Sequence, residues 1–431
     1  MLIEFSVKNF RSIDELQTLS FATSGLKSKE DFSFIDKNNI TENHGHSCFN
    51  VIGLYGANAS GKSNIVKALD YFIKTISSQP SSFSNLLSLC QPFLFQKSTE
   101  ETESFFQMVF VLKETKYRYG FTVKKNLEKT TEGAFHSTEI ITNEWLVSDK
   151  DKKNMSPLFL REDNRITKNT LQNKNSIPNS IPYRHNLFIA HAAAFDFTGD
   201  CKMITDYFRS FAVSDFEFIN EKFRWMSIES LRTESNIKQD LIKLLSSFNL
   251  DYSDITLDEH TSTNPNEIFP QEKVHLLKSF LVENKLKSIK LNLKNNESSG
   301  TQKMFDLAGL LLRVFNNDNQ CFILLDEIDS HFHPALLISL VNLFNNPEVN
   351  KSKSQLLFTS HDTNLMSPSI MRRDQFYFTE KTASNSTHLY SLGDLKGIRN
   401  DADFAKQYLA GFYGALPHLE KYCSTKNDIL K

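Results

Sequence analysis

The spacing of hydrophobic residues along the chain predicts alternating strands and helices near both ends. Residues 1–10 alternate between apolar and polar, and the apolar run at 49–55 predicts a buried strand that stops at Gly56. From Lys62 onward, apolar residues recur with helical spacing. The C-terminal third is predicted to contain helices at 304–315 and 334–344 and buried strands at 321–325 and 355–359. This alternation predicts parallel strand pairing and an α/β core.

The stretches between these regions predict a more varied structure. Residues 105–123 have the pattern of two antiparallel strands around a charged turn, and 138–147 predict a third strand. The polar stretch at 149–180 is typical of a loop or linker, whereas 237–248 has the apolar face of a helix and 285–294 alternates as a strand. No heptad pattern lasts three or four repeats, so no long coiled-coil arm is predicted.

Composition limits the class of protein without naming a partner. At about 150 residues per domain, 431 residues predict two to three domains, or one large domain with an insertion. The formal net charge of -2 excludes a uniformly basic nucleic-acid coat. Five cysteines without a C-x-x-C pair argue against a disulfide framework or a zinc ribbon. Because we find neither a leader pattern nor a run near 18 apolar residues, we expect a cytoplasmic protein without a membrane partner.

A glycine-rich segment between the buried strand and the helix carries the clearest chemical signal. Residues 56–63 fit the pattern G-x-x-x-x-G-K-[ST], whose backbone N–H groups close around phosphates at a helix N-terminus. Lys62 is expected to reach the β- and γ-phosphates, and Ser63 is expected to ligate Mg²⁺. The predicted nucleotide contacts in this region are Gly56, Asn58, Ser60, Gly61, Lys62, Ser63 and Asn64. The segment therefore predicts a site for ATP and Mg²⁺.

Two acids follow the apolar strand at 322–325. Asp326, at the strand end, is placed to hold the metal through water, and Glu327 to polarise the attacking water as a general base. Two acids after a strand can also form a solvated turn. Their occurrence after a phosphate-binding loop favours the Walker B interpretation.

Two weaker signals indicate the class of ATPase. Residues 298–302 lie at a strand-to-helix junction before Asp326 and resemble the Ser-Gly signature that ABC-type ATPases present to a γ-phosphate, here through Ser299 and Gly300. His361 follows the strand at 355–359, as the switch histidine does in that class, and is predicted to act in catalysis with Lys62. A Ser-Gly pair is also a common helix cap, so the order of the signals carries the argument.

Together these residues resemble the SMC/RecF-like branch of ABC-type ATPases. More narrowly, the chain resembles compact bacterial RloA-like and AbiL-type ATPases, which are often paired with an RloB-like or TOPRIM protein in anti-phage defence. The matching stretches are 9–12, 56–63, 297–301, 326–330 with His333-Pro334, 359–362, 372–375, Tyr408-Leu409 and 413–415. They cover most of the N-terminal 130 residues and nearly everything after 290.

The resemblance implies an architecture and an assembly. We expect an α/β P-loop ATPase head, with a largely parallel core sheet, an antiparallel β subdomain and a mainly helical insertion. The expected divisions are 1–148 for the N-terminal lobe, 149–290 for the insertion and 291–431 for the C-terminal lobe. The resemblance also implies that two heads sandwich two ATP molecules, with Ser299 and Gly300 of one head completing the site of the other.

Some assignments stay open. His333 stands where the family commonly has an aspartate in the D-loop, and the Q-loop glutamine cannot be placed, because Gln91 and Gln96 also fit surface positions. The cluster of His331, His333, Asp329 and His361 could bind a transition metal, but the loop after Walker B explains the spacing better. Lys-rich stretches at 113–125, 149–153 and 285–294 could face nucleic acid, although such runs are usually solvated.

The favoured function is a Mg²⁺-dependent, dimeric ATPase that acts as the sensor and regulator of a phage-defence system, with a nuclease or other effector as a separate protein. The stretch after His361 is too short for an added TOPRIM domain. The first alternative is a RecF-like DNA-repair or DNA-maintenance ATPase that binds DNA directly. A transporter ATPase is the second alternative, and the SMC-like opening motif argues against it.

Overall fold

The computed structural model describes most of the chain at the level of individual residues. The described ranges are 1–80, 87–96, 102–129, 135–150, 154–196, 199–215, 221–233, 237–258, 273–316, 320–330 and 332–416. The strands are β1 Leu2–Lys8, β2 Gln17–Ser20, β3 Ile40–Asn43, β4 His46–Phe49, β5 Val51–Gly56, β6 Ser104–Leu112, β7 Thr115–Lys129, β8 Phe135–Ser148, β9 Ser156–Glu162, β10 Arg165–Asn169, β11 Ala212–Asp215, β12 Asp254–Leu257, β13 Val274–Val282, β14 Lys285–Asn292, β15 Phe322–Asp326, β16 Gln355–Thr359, β17 Phe376–Lys381 and β18 Thr387–Ser391. The helices are α1 Ser33–Asn38, α2 Lys62–Ser77, α3 Phe188–Ala193, α4 Asp200–Arg209, α5 Glu221–Thr233, α6 Ile237–Ser247, α7 Leu293–Asn296, α8 Ser299–Phe315, α9 Pro334–Asn345 and α10 Phe404–Leu409.

A six-stranded, largely parallel sheet forms the core of the molecule. Its strand order is β11-β15-β16-β5-β17-β18, and only the β17–β18 pair is antiparallel. Every residue of β5, β15 and β16 is buried, because helices or the second sheet cover both faces. The predicted α/β core and its parallel pairing are therefore confirmed. The carboxyl ends of β15, β16 and β5 lie side by side, which positions the site described below.

The two faces of the core sheet pack into two different hydrophobic clusters. Ile52 and Leu54 of β5 belong to the cluster that contains α2 and the antiparallel sheet. Val51 of the same strand belongs to the cluster that contains α8 and α9. Helix α2 lies against the antiparallel sheet as well, where the Phe72 ring stacks on Phe121 with centroids 5.5 Å apart. The phosphate-loop helix is thus fixed between both sheets.

The antiparallel subdomain is a seven-stranded sheet with the order β10-β9-β8-β7-β6-β1-β2. It confirms the strands expected at 105–123 and 138–147. The hairpin β9–β10 differs from the sequence prediction, which placed a loop or linker at 149–180. Because residues 149–180 are polar and rich in Lys and Asn, their composition does not indicate β9, in which Leu158 and Phe159 are buried. Pairing of β9 with β8 stabilises a strand that the local sequence alone does not predict.

Residues 149–290, expected to form a mainly helical insertion, contain four helices and six strands within their described part. β9 and β10 extend the antiparallel sheet, and β11 joins the core sheet in parallel beside β15. Helices α5 and α6 pack on α8 of the C-terminal lobe. Four-residue strands such as β11 carry too little periodicity to be recognised locally. The division of the chain at 148 and 290 stays a prediction, while the middle stretch is built into both sheets.

A fully buried ion pair supports the antiparallel sheet. Glu144 of β8 lies 3.2 Å from the Arg161 guanidinium of β9, and both side chains have no exposed surface. Glu144 also accepts hydrogen bonds from the backbone N–H groups of Phe188 and Ile189, and from the Tyr119 hydroxyl. Burial raises the pKa of Glu144, and the Arg161 charge opposes this shift. The carboxylate therefore joins two strands to the start of α3.

Replacing Glu144 with alanine is expected to lower the free energy of unfolding by about 3–5 kcal/mol, because it leaves the Arg161 charge buried without its partner. The measurement is urea unfolding of the purified protein. Glu162→Ala is the matched control, since this neighbouring acid of β9 is exposed and should change stability by less than about 0.5 kcal/mol. Equal effects in the two variants would contradict a structural role for the ion pair.

Candidate functional site

The loop between β5 and α2 has a backbone that only glycine adopts easily. Gly56 and Gly61 have φ angles of +147° and +111°, in the region that side chains disfavour. A Cβ atom at Gly61 would lie 2.0 Å from the Thr387 hydroxyl, and one at Gly56 would lie 2.5 Å from the Thr379 carbonyl. Both glycines are therefore required by the close approach of β17 and β18. The loop leads directly into α2, so its N–H groups lie at a helix N-terminus.

Lys62 is folded back over this loop. Its ammonium group donates to the carbonyl oxygens of Gly56, at 2.8 Å, and Ala57, at 3.2 Å. Only 6% of the residue is exposed. Burial lowers the pKa of Lys62, whereas the negative charges of Asp326 and Glu327 oppose that shift. The lysine is thus held over the loop within electrostatic reach of both Walker B acids.

Hydroxyl groups tie the loop to distant parts of the chain. The Ser60 hydroxyl is buried and lies 2.6 Å from the Thr379 hydroxyl, so this side chain holds the loop to β17. The Asn64 side chain donates to the Ser12 hydroxyl at 2.6 Å, and Ser12 in turn lies 2.6 Å from the Thr387 hydroxyl. Sequence reasoning did not find Thr379 or Thr387, because no local motif marks them.

The remaining predicted loop contacts are open to solvent to different degrees. Asn58 is exposed, and Ser63 is partly exposed at the start of α2. Ser63 and Asp326 offer a hydroxyl and a carboxylate, which are the oxygen ligands that Mg²⁺ prefers. Asp326 receives a hydrogen bond on Oδ1, and its second oxygen accepts none from the residues that the structure describes. This donor set fits Mg²⁺, so these two residues would hold the ion.

The Walker B acids are fixed by a threonine of the neighbouring strand. The Thr359 hydroxyl, at the end of β16, donates to Asp326 Oδ1 at 2.5 Å and accepts from the Glu327 N–H at 2.7 Å. Asp326 is 8% exposed, and Glu327 has a φ of +53°, which non-glycine residues seldom adopt. This turn carries the chain sharply away from the sheet directly after β15.

His361 lies beside these groups. Its backbone N–H donates to Asp329 Oδ2 at 3.1 Å, and its side chain is exposed. Partial desolvation of the imidazole and the nearby Lys62 charge lower the pKa of His361, while Asp329 and Asp326 oppose this effect. Together with the adjacent ends of β5, β15 and β16, these interactions place the loop lysine, the Walker B aspartate and the histidine near one another. The lowered pKa favours the neutral imidazole.

The Ser-Gly signature lies apart from the phosphate loop and the Walker B acids, at the start of α8. Ser299 and Gly300 open α8, where the Ser298 hydroxyl caps the helix by accepting from the Thr301 N–H at 3.1 Å. Ser299 is exposed, and no hydrogen bond joins it or Gly300 to residues 56–63 within the described ranges. The structure therefore brings together Lys62, Asp326, Glu327 and His361 but does not bring the signature into contact with them.

Polar contacts hold the signature turn in place. Gln302 Nε2 donates to the carbonyl oxygens of Glu297 and Lys294, at 3.2 and 3.3 Å. Arg224 of α5 makes two 3.0 Å hydrogen bonds to the buried Asp306 of α8. Burial raises the pKa of Asp306 to about 6, and the Arg224 charge opposes this shift. Arg224 thus connects the middle stretch of the chain to the helix that presents the signature.

The structure also describes most of the residues whose roles the sequence left open. The Gln91 side chain is exposed, and Gln96 donates to Asp14 at 3.0 Å, so neither is shown at the phosphate loop. His333 caps α9, with Nδ1 accepting from the Ala335 N–H at 3.2 Å. His331 lies outside the described residues. Within the part of the chain that is described, no three His, Cys, Asp or Glu side chains are placed to hold a metal ion together.

Comparison with known proteins agrees with this geometry. Over the described ranges, no helix is both long and apolar enough to span a membrane. No curated protein matches the chain. The family described as "AAA domain, putative AbiEii toxin, Type IV TA system" matches residues 51–367, which is more than half of the chain and includes Lys62, Asp326 and His361. The chain therefore belongs to this family, and with it to the nucleotide-binding AAA ATPases.

Proposed function

We propose that the protein is a Mg²⁺-dependent ATPase that works as an ATP-sandwiched homodimer and regulates a separate effector in anti-phage defence. One observation carries the enzymatic part. Lys62, Asp326 and the Thr359–His361 segment converge at the carboxyl ends of three neighbouring parallel strands, β5, β15 and β16. Ligands of open parallel sheets bind at this edge.

Each side chain has a defined task in ATP hydrolysis. When ATP binds, the Lys62 ammonium group would leave the Gly56 and Ala57 carbonyl oxygens and donate to phosphate oxygens instead. Hydrogen bonds between two charged groups are stronger than those to a neutral carbonyl. Glu327 accepts a proton from the attacking water, and the Thr359 hydrogen bond fixes the backbone from which it projects. Ser63 and Asp326 would hold Mg²⁺, which would supply positive charge near the phosphate oxygens. We assign His361, whose lowered pKa favours the neutral imidazole, to the same phosphates.

The position of the signature supports a dimer. Ser299 is exposed and Gly300 partly exposed at the start of α8, and Gln302 donates a hydrogen bond to the Glu297 carbonyl just before them. A rigid, exposed helix start that offers N–H groups suits the phosphates of a nucleotide held by another molecule. A second copy of the chain would supply such a nucleotide, and the arrangement would be reciprocal.

Two observations support the regulatory part of the proposal. The family description refers to a putative AbiEii toxin and a type IV toxin–antitoxin system. In addition, the described residues contain no three-residue acidic or histidine cluster that could hold a metal for nuclease chemistry. An effector such as an RloB-like or TOPRIM nuclease would then be a separate protein, and ATP turnover would control it.

A phage infection experiment tests this role. Phage are expected to form fewer plaques on cells that carry the wild-type gene with its neighbouring genes than on cells in which this gene encodes the Lys62→Ala variant. Lys67→Ala is the control. Lys67 is an exposed residue of α2, so its loss leaves the site intact. Deleting the neighbouring gene should abolish protection while ATP turnover by the purified protein stays unchanged. Equal plaque numbers for wild type and Lys62→Ala would contradict the defence role without affecting the ATPase assignment.

A further inference from the structure

A hairpin formed by β13 and β14 extends from the body of the protein. Its strands are joined by Glu283 and Asn284, whose φ angles of +51° and +59° form a tight left-handed turn. At its base, Leu276 is fully buried in the cluster that contains α8. Toward the turn, most residues of both strands are exposed. The base therefore anchors a ribbon whose distal half is largely exposed.

The distal half presents positive charge and apolar surface on one face. In the antiparallel register, Lys278 pairs with Ile289, Phe280 with Lys287 and Val282 with Lys285, so these side chains point to the same side. We call the exposed members of this set the cationic face: Lys278, Phe280, Lys285, Lys287 and Ile289. Phe280 is 44% exposed and Ile289 is 47% exposed. Among the described residues, no carboxylate pairs with any of the three lysines.

The opposite side of the hairpin has a different character. Lys290 points there and pairs at 3.0 Å with Asp258, the residue that follows β12, so its charge is balanced. Ser279 and Ser288 form a hydrogen-bonded pair between the strands on that side. Glu283, in the turn, is the single acid between residues 274 and 292. The unbalanced charge is therefore confined to the cationic face.

The spacing of the lysines suits an extended polyanion better than a single small anion. Residues two apart in a strand lie about 6.6 Å apart, so Lys285 and Lys287 form a row of positive charges along the strand. An exposed aromatic ring between cationic groups is the combination that single-stranded nucleic acids bind, because bases stack on the ring while phosphates meet the charges. Phe280 lies directly opposite Lys287 and two residues from Lys278.

We propose that the cationic face binds single-stranded nucleic acid, with phosphates along Lys278, Lys285 and Lys287 and a base stacked on Phe280. This activity goes beyond ATP hydrolysis, and it gives the ATPase a surface for a nucleic-acid signal. The hairpin runs directly into α7 and then into the signature helix α8. A short stretch of chain therefore connects the proposed nucleic-acid site on the hairpin to the turn that carries Ser299.

The test is fluorescence anisotropy of a labelled thymidine oligonucleotide, about 20 nucleotides long, with the full chain at increasing salt. The triple variant Lys278→Gln, Lys285→Gln, Lys287→Gln is expected to bind at least about tenfold more weakly at low salt. Its salt slope should be smaller by about 2, because each lost phosphate contact of a single strand removes about 0.7. The matched control, Lys202→Gln, Lys238→Gln, Lys243→Gln, changes charge equally at exposed ion pairs and should bind as wild type.

Two further variants separate the faces. Phe280→Ala should weaken binding about fivefold or more through lost stacking. Leu281→Ser with Leu286→Ser alters two residues of the opposite side, each 71% exposed, and should leave the affinity unchanged. Wild-type affinity in the lysine variant, or tighter binding of duplex than of single strand, overturns the proposal. Absence of binding by the wild-type chain at low salt also overturns it.

Discussion

Replacing Lys62 with alanine is expected to abolish ATP binding and to lower turnover by about 100-fold or more. The ammonium group lies within electrostatic reach of Asp326, Glu327 and Asp329, and its loss removes a positive charge that favours the ATP phosphates beside these carboxylates. The measurements are equilibrium binding of a fluorescent ATP analogue and steady-state phosphate release by the purified chain.

Lys67→Ala serves as the control for this experiment. Lys67 is exposed on the same helix, five residues further on, and its replacement should change neither binding nor turnover. Thermal unfolding of both variants shows that the fold is retained. Normal phosphate release by Lys62→Ala would remove the assignment of residues 56–63 as the phosphate loop.

Replacing Glu327 with glutamine is expected to preserve ATP binding and to lower hydrolysis by about 100-fold or more. The amide cannot accept a proton from water, whereas the Thr359 hydrogen bond to the backbone N–H of residue 327 is unaffected. ATP therefore stays intact between the two heads. Light scattering of the variant should show the mass of a dimer after ATP is added.

Glu348→Gln is the matched control, because Glu348 is exposed after α9 and lies outside the site. It should hydrolyse ATP as the wild type does and should not accumulate as a dimer. If Glu327→Gln binds ATP but keeps the mass of a monomer, the sandwich arrangement is excluded while the ATPase site stands. If it hydrolyses ATP normally, Glu327 is not the general base.

The parts of the site that lie within one short stretch of sequence could be predicted without a structure. Gly56, Gly61 and Lys62 belong to one loop, and Asp326 follows an apolar strand, so local pattern and strand order were sufficient. The structure adds contacts between residues far apart in the chain. Thr359 meets Asp326 through parallel pairing of β15 and β16, and the register of that pairing is not encoded by any local motif.

The structure of residues 149–290 was the hardest part to predict from the sequence. The hairpin of β9 and β10 lies within a polar stretch, and Arg161, a residue type that is usually exposed, is fully buried there. The buried partner Glu144, on another strand, together with backbone carbonyls, makes that burial favourable. Likewise, Arg224 has a role because α5 packs on α8, and the sequence offers no periodic signal for the pair with Asp306.

The contact of Thr387 with the phosphate loop has a consequence for the order of synthesis. Thr387 donates to the Ser60 carbonyl, and its close approach requires a glycine at position 61. Residues 56–63 emerge from the ribosome early, but β18, which closes over them, emerges after more than 300 further residues. The nascent chain therefore cannot form the finished nucleotide pocket during most of its translation. The complete nucleotide site forms only once the C-terminal third has folded against the phosphate loop.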